Sequence, residues 1–228
     1  MPITTIFFDV GGTLLYPDMG RMLAPLLARV QPTAEQLAAA DRAAKYSCPL
    51  NGDDGPAASA LPLKATNKGH WQVFFETLLA EVGHHELLTE LAARASDSSY
   101  WTLVDPAAPA ALAALQRDYK LAVISNADGR IREVLARAGL AGYFDQITDS
   151  GLVGYEKPHP RIFQAALEAT GSNPNEGLYI GDIYAIDYRG ATAAGMHAVL
   201  IDPAGVYRDW DAPRIASLRE LPAWVARR

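Results

Sequence analysis

The sequence predicts an α/β fold: a parallel sheet covered by helices on both faces, with a helical module inserted after the first strand. Three observations predict it. Four short apolar runs, partly β-branched or aromatic and bounded by Gly, Asn or Asp, read as buried strands. Helical periodicity lies between the last three runs, as parallel strands joined by crossover helices require. Residues 16 to about 102, between the first and second runs, hold helical patterns and no convincing strand.

The strands, in order, are ITTIFFDV (3–10), KLAVIS (120–125), GLYIGD (177–182) and HAVLID (197–202). After the second, Ile131, Val134, Leu135 and Ala138 recur at helix spacing. Before the third, Ile162, Phe163, Ala166 and Leu167 do the same. The inserted module carries expected helices over 18–30, 33–46, 67–82 and 84–97. The third of these puts Trp71, Phe74, Phe75, Leu78, Leu79 and Val82 on one face, a stripe that core packing explains. Between helices, CPLNGDDGPAASALPLKATNKG (48–69) reads as a long loop, a kind of segment that is usually functional or mobile. The expected domains are a core over 1–15 and 103–228 and a helical module over 16–102.

Composition narrows the class. A chain of 228 residues fits one large domain or a domain with an insertion, and its 50% apolar content supplies a core. Its net charge is -6 with no block of like charge, which argues against nucleic acid or an anionic membrane as partner. The single cysteine, Cys48, excludes an intrachain disulfide and fits a reducing compartment. MPITTIFFDVGG lacks the basic and apolar regions of a signal peptide, and no apolar run approaches the roughly 20 residues of a membrane span. A soluble, cytoplasmic protein is expected.

In open parallel sheets, ligands bind at the carboxyl ends of the strands. Here those ends carry Asp9, then Ser125-Asn126, then Gly181-Asp182 with Asp187 five residues on; Lys157 precedes a helix in GYEKPHPRIF. Each alone has a bland reading: a cap for Asp9, a turn for Ser125, a solvated surface for Lys157. Their joint order points to one edge. Clustered carboxylates raise one another's pKa unless a cation joins them. An all-oxygen set favours a hard cation such as Mg2+, held by one or two carboxylates plus phosphate and water. A nearby lysine neutralises a transferring phosphoryl group, and a carboxylate can serve as nucleophile. Asp9, before a glycine turn, is the candidate.

FFDVGGTLL, AVISNAD, the lysine of EKPHPRIF, and YIGDIYAIDYRGATAAGM resemble, in order and spacing, the four motifs of the haloacid dehalogenase-like (HAD) hydrolase superfamily. The stretch from AVISN through GMHAVL is most similar to one animal subfamily. The resemblance implies a Rossmann-like three-layer core with a C1-type helical cap inserted after the first motif. It implies a Mg2+-dependent phosphatase of a small phosphorylated metabolite, working through an aspartyl-phosphate on Asp9. Asp9 would be nucleophile and metal ligand. Thr13 would hydrogen-bond beside it and fix the loop. Ser125, the Asn126 backbone and Gly12 would hold phosphate. Lys157 would neutralise nucleophile and phosphate. The Gly11 carbonyl and Asp182 would complete the metal shell, with Asp187 binding through water or orienting Lys157. The peptide before Pro158 is a candidate for the cis form. Substrate choice would fall to cap residues such as Tyr16, Arg21, Lys64, Lys68, His70 and Trp71.

One departure stands out. Phosphatases of this superfamily carry a second aspartate two residues after the nucleophile, which protonates the leaving group and then activates water; this chain has Gly11. General acid–base catalysis contributes roughly 100- to 10,000-fold, so weak or specialised turnover is expected, and Gly11→Asp is expected to raise it. Three alternatives share the pattern: a catalytically impaired binding protein, a 2-haloacid dehalogenase, and a phosphonoacetaldehyde-type hydrolase using Lys45, Lys64 or Lys68.

Overall fold

The computed structural model describes residues 2–47 and 69–228. Nearly all of the expected 48–69 loop, with Cys48, Lys64 and Lys68, lies outside the described residues. The chain divides into two compact units, one of Met1–Tyr16, Trp101–Tyr207 and Ala212–Arg228, the other of Pro17–Tyr100 with Arg208–Asp211.

The first unit is built on β1 (Thr5–Phe8), β4 (Lys120–Ser125), β5 (Gln146–Asp149), β6 (Gly177–Gly181), β7 (His197–Ile201) and β8 (Arg214–Ile215). These form one sheet in the order β5-β4-β1-β6-β7-β8, every neighbouring pair parallel. All four residues of central β1 are buried, because helices cover both faces. Side chains alternate between faces. Ile6, Phe8, Val123 and Ile180 pack with Leu112, Val134 and Leu135 of the helices Ala108–Leu115 and Ile131–Arg137. Phe7, Ile124 and Tyr179 pack on the other face with Ile162, Phe163 and Ala166 of the helix Pro160–Thr170. Each such large apolar side chain contributes roughly 1.5–3 kcal/mol on burial.

Four expected strands are present; β5 and β8 extend the sheet beyond them. A separate two-stranded pair joins β2 (Leu15–Pro17) to β3 (Trp101–Val104). These residues fall at the margins of the stretch read as strand-free, because WTLV is half-buried at its ends, exposed at its middle, and shows no buried run.

The second unit is helical. The helix expected over 18–30 is two short pieces, Met19–Met22 and Ala24–Leu27. Pro25 explains the break: it lacks an N–H, and its ring clashes with the preceding turn. The helix Ala34–Ser47 follows a reciprocal cap in which Gln36 N–H donates to Thr33 Oγ1 at 3.2 Å and Thr33 N–H to Gln36 Oε1 at 2.8 Å. The helix His70–Val82 buries Val73, Phe74, Phe75, Leu78 and Leu79, with Trp71 and Val82 packed against the same cluster. Gly83, at φ 81°, ends it, and the segment expected as one helix over 84–97 is a 3₁₀ turn His85–Leu87 followed by Leu88–Ser96. No helix among the described residues is long and apolar enough to cross a membrane.

Candidate active site

The register of the sheet gathers the expected residues at one edge. Phe8 of β1 pairs with Val123 on one side and Ile180 on the other. Asp9 therefore follows the pair by one residue, Ser125 by two on β4, and Gly181-Asp182 by one and two on β6. Asp9 N–H donates to Ile180 O at 2.8 Å, carrying the ladder one step past β1.

The chain then turns sharply. The Val10 carbonyl accepts from the N–H groups of Thr13, Leu14 and Leu15 at 3.3, 2.8 and 2.8 Å. Gly12 has φ 77°, and a β-carbon there would lie 2.5 Å from Asp182 Oδ2. Only glycine meets both conditions. The hydroxyl of Thr13 is buried and makes no hydrogen bond with the described residues, so the expected bond beside Asp9 is absent. Backbone bonds to Val10 fix the loop instead.

Lys157 is the hub. Its Nζ donates to Asp9 Oδ1 at 2.6 Å, to Asp187 Oδ1 at 2.7 Å and to Tyr179 Oη at 2.7 Å. Three ammonium hydrogens meet three acceptors. Asp187 Oδ1 also lies 3.0 Å from Tyr179 Oη, and its Oδ2 accepts from Ile183 N–H at 2.9 Å. Asp187 thus grips Lys157 directly. Gly181 makes room for it, since a β-carbon there would lie 2.4 Å from Asp187 Cγ. Asn126 holds the lysine backbone on both sides: Lys157 N–H donates to Asn126 Oδ1 at 2.7 Å, and Asn126 Nδ2 to Lys157 O at 3.0 Å. Its side chain is therefore a clamp, and only its backbone remains for phosphate. The Lys157–Pro158 peptide is cis.

One carboxylate oxygen from each of Asp9, Asp182 and Asp187 lies within 4.8 Å of the others, and all three residues are buried. Burial pushes the Asp9 carboxyl up to about 7; Lys157 opposes this, and Asp187 and Asp182 add to it. Burial alone would lower the Lys157 pKa, but Asp187 and Asp9 raise it above its ordinary value, so the ammonium persists. Burial and then Asp187 raise the Tyr179 hydroxyl well above 10, so it stays protonated. It accepts from Lys157 and has its own proton for Asp187 Oδ1 or Ile124 O, 3.2 Å away. Tyr179 is the polar residue that sequence reading missed. The available signal was a hydroxyl inside a fully buried strand, which must find a partner.

Ser125 is buried at the end of β4. The loop after it is held by Asp149, whose carboxylate accepts from Gly129, Gly151 and Ile131 N–H at 3.0, 2.9 and 3.0 Å. Three of the candidates for substrate selection make local contacts. The Tyr16 hydroxyl donates to Asp105 Oδ2 at 3.4 Å. Arg21 donates to Ser99 O at 3.3 Å and lies over the Tyr100 ring. Trp71 contacts Phe74 and Phe75.

A lysine among buried carboxylates, at the carboxyl edge of a parallel sheet, defines an α/β protein with an acid-and-ammonium centre. The family model for haloacid dehalogenase-like hydrolases matches residues 3–195, and the chain belongs to that family. It is 41% identical over 106 residues to haloacid dehalogenase-like hydrolase domain-containing protein 3 of Bos taurus, covering 46% of this chain and 42% of that protein. The match thus spans less than half the length of this animal relative. It is 37% identical over 183 residues to phosphoserine phosphatase of Thermus thermophilus, covering 78% of this chain and 70% of that one. The fold is similar to that of a magnesium-bound HAD-hydrolase from Bacillus subtilis, with a TM-score of 0.68, 20% identity and coverage of 99% of this chain and 100% of that one.

Proposed function

We propose that this chain is a Mg2+-dependent phosphatase of a small phosphorylated metabolite, acting through an aspartyl-phosphate on Asp9. The observation that carries the reading is Lys157, whose buried ammonium touches both Asp9 and Asp187. It holds the carboxylate of Asp9 toward its ionised form and offers positive charge beside the atom that would meet phosphorus. Relatives named phosphoserine phosphatase and glyceraldehyde 3-phosphate phosphatase support the phosphate class.

The donor set fits Mg2+. Three buried carboxylates with one ammonium carry a net charge of two negative when all are ionised; burial raises the Asp9 pKa first, Lys157 opposes it, and the neighbouring Asp187 and Asp182 add to it. Asp9, Asp182 and the Gly11 carbonyl would hold the ion; Asp187 is committed to Lys157, Tyr179 and the Ile183 N–H. Bound there, the ion would neutralise phosphoryl charge. In the proposed reaction the Asp9 carboxylate attacks phosphorus, the bond to the leaving oxygen breaks, and that oxygen takes the electron pair. Water then cleaves the aspartyl-phosphate and releases phosphate. Ser125 and the Asn126 N–H would receive phosphate oxygens. We read the helical unit as the substrate-selecting cap and, from the single cysteine, assign the reaction to a reducing cytoplasm. A metal-free dehalogenase would have no use for Asp182.

The test is p-nitrophenyl phosphate hydrolysis with and without Mg2+, beside Asp9→Asn. Metal-dependent turnover lost in the variant is expected. Turnover that survives Asp9→Asn contradicts the reading.

A further inference from the structure

We infer that Trp101 closes the position beside the nucleophile where a proton donor would stand, confining the site to phosphoryl donors whose leaving oxygen is a stable anion, such as acyl and aryl phosphates. The inference rests on the phosphatase reading and narrows its substrate class.

Gly11 and Gly12 are adjacent glycines required for different reasons. Gly12 has a left-handed backbone; Gly11 does not. What Gly11 lacks is room. A β-carbon there would lie 2.7 Å from Cζ3 and 2.9 Å from Cη2 of Trp101. Real β-carbons essentially never approach so closely, so any side chain at 11 must displace the indole. Trp101 is not a loose surface ring. It begins β3, which pairs with β2 on the same loop, and Asp105 N–H ties the far end of β3 to Leu14 O at 2.9 Å. The space two residues from Asp9 is thus filled by aromatic carbon, which has no proton to give.

Among the described residues, Lys157 and the groups that hold it do not supply the missing donor. Lys157 spends its three hydrogens on Asp9, Asp187 and Tyr179. Asp187 accepts on both oxygens. The Tyr179 hydroxyl is buried among Lys157, Asp187 and Ile124. When the bond from Asp9 to phosphorus forms and the bond to the leaving oxygen breaks, the electron pair stays on that oxygen unprotonated. A carboxylate or phenolate bears that charge; an alkoxide does not. The expected gain from Gly11→Asp alone therefore fails on this geometry, because the new carboxyl meets the indole.

The test measures Mg2+-dependent hydrolysis of acetyl phosphate, p-nitrophenyl phosphate and glycerol 1-phosphate by the wild type, Gly11→Asp, Trp101→Ala and the double variant. The wild type should favour the first two over glycerol 1-phosphate by about 100-fold or more. Gly11→Asp alone should gain nothing on glycerol 1-phosphate, while the double variant gains about 100-fold. Equal wild-type turnover of all three donors overturns the inference. So does a gain by Gly11→Asp alone that matches the double variant. A melting cycle that needs no activity accompanies the assay. Gly11→Ala should lower the midpoint in the wild type and much less in the Trp101→Ala background. Equal losses in both overturn the closure. Turnover of none of the three donors overturns the phosphatase reading and the substrate class with it, while the melting cycle still decides the closure.

Discussion

The Lys157 ammonium lies 2.6 Å from Asp9 Oδ1 and 2.7 Å from Asp187 Oδ1, deep enough that almost no solvent reaches any of the three. Removing one partner of a buried ion pair leaves the other charge uncompensated. Lys157→Met is therefore expected to cost about 3–5 kcal/mol, read by denaturant unfolding. Loss of the positive charge beside Asp9 should also lower turnover by about 100-fold or more. Wild-type stability in this variant would mean that the pair is not held as described.

Tyr179 supports the lysine without being a carboxylate ligand. Tyr179→Phe removes the hydroxyl that accepts from Lys157 and leaves that ammonium hydrogen without its partner. The expected cost is about 1–3 kcal/mol, with a lowered turnover. Mg2+ affinity, measured by titration calorimetry, should stay near that of the wild type, which separates orientation of the lysine from metal binding.

Gly12→Ala should destabilise for two reasons, a left-handed backbone and overlap with the Asp182 carboxylate. Backbone strain alone accounts for about 1–3 kcal/mol. Gly154→Ala is the control, because Gly154 is left-handed at φ 80° with nothing near its missing β-carbon. Gly12→Ala should therefore lose more stability than Gly154→Ala, and it alone should weaken Mg2+ binding.

The pH dependence follows from Asp9. Its carboxyl titrates at about 7 in the folded protein, chiefly through burial, against an ordinary value of 3.8. Between those values the metal-free native state keeps a proton that the unfolded chain has lost. Stability therefore falls as pH rises through that window. Asp9→Asn removes this contribution, so the wild type should lose stability relative to the variant between about pH 5 and about pH 8 without metal. Mg2+ needs the ionised carboxylate, so its stabilisation should grow as pH rises through about 7. Thermal melts at both pH values, with and without Mg2+, read both trends.

The core of this fold was legible because its central strands are short, continuous apolar runs. QITD, which forms β5, has one strongly apolar residue, Ile147, and becomes a strand through its pairing with β4. β8 is two residues long and offers no pattern at all. At the site, Asp9, Lys157, Asp182 and Asp187 were legible as strand-end and loop residues whose order matched one chemistry. The use of each side chain was not. Asn126 turned out to clamp Lys157, because its amide reaches the lysine backbone across 31 residues of sequence. Tyr179 reads as a strand residue until its hydroxyl is seen between Lys157 and Asp187. Gly11 was legible as a missing acid, but the indole that fills its place comes from Trp101, ninety positions away in the chain.

In the proposed reaction Asp9 carries the phosphoryl group. The most direct measurement mixes the protein with acetyl phosphate and Mg2+, quenches in acid, and weighs the proteolytic peptides. The peptide containing Asp9 should gain the mass of one phosphoryl group, and neither Asp9→Asn nor the metal-free protein should show it. Turnover accompanied by no phosphoryl group on that peptide, or by one on a different residue, would contradict the account.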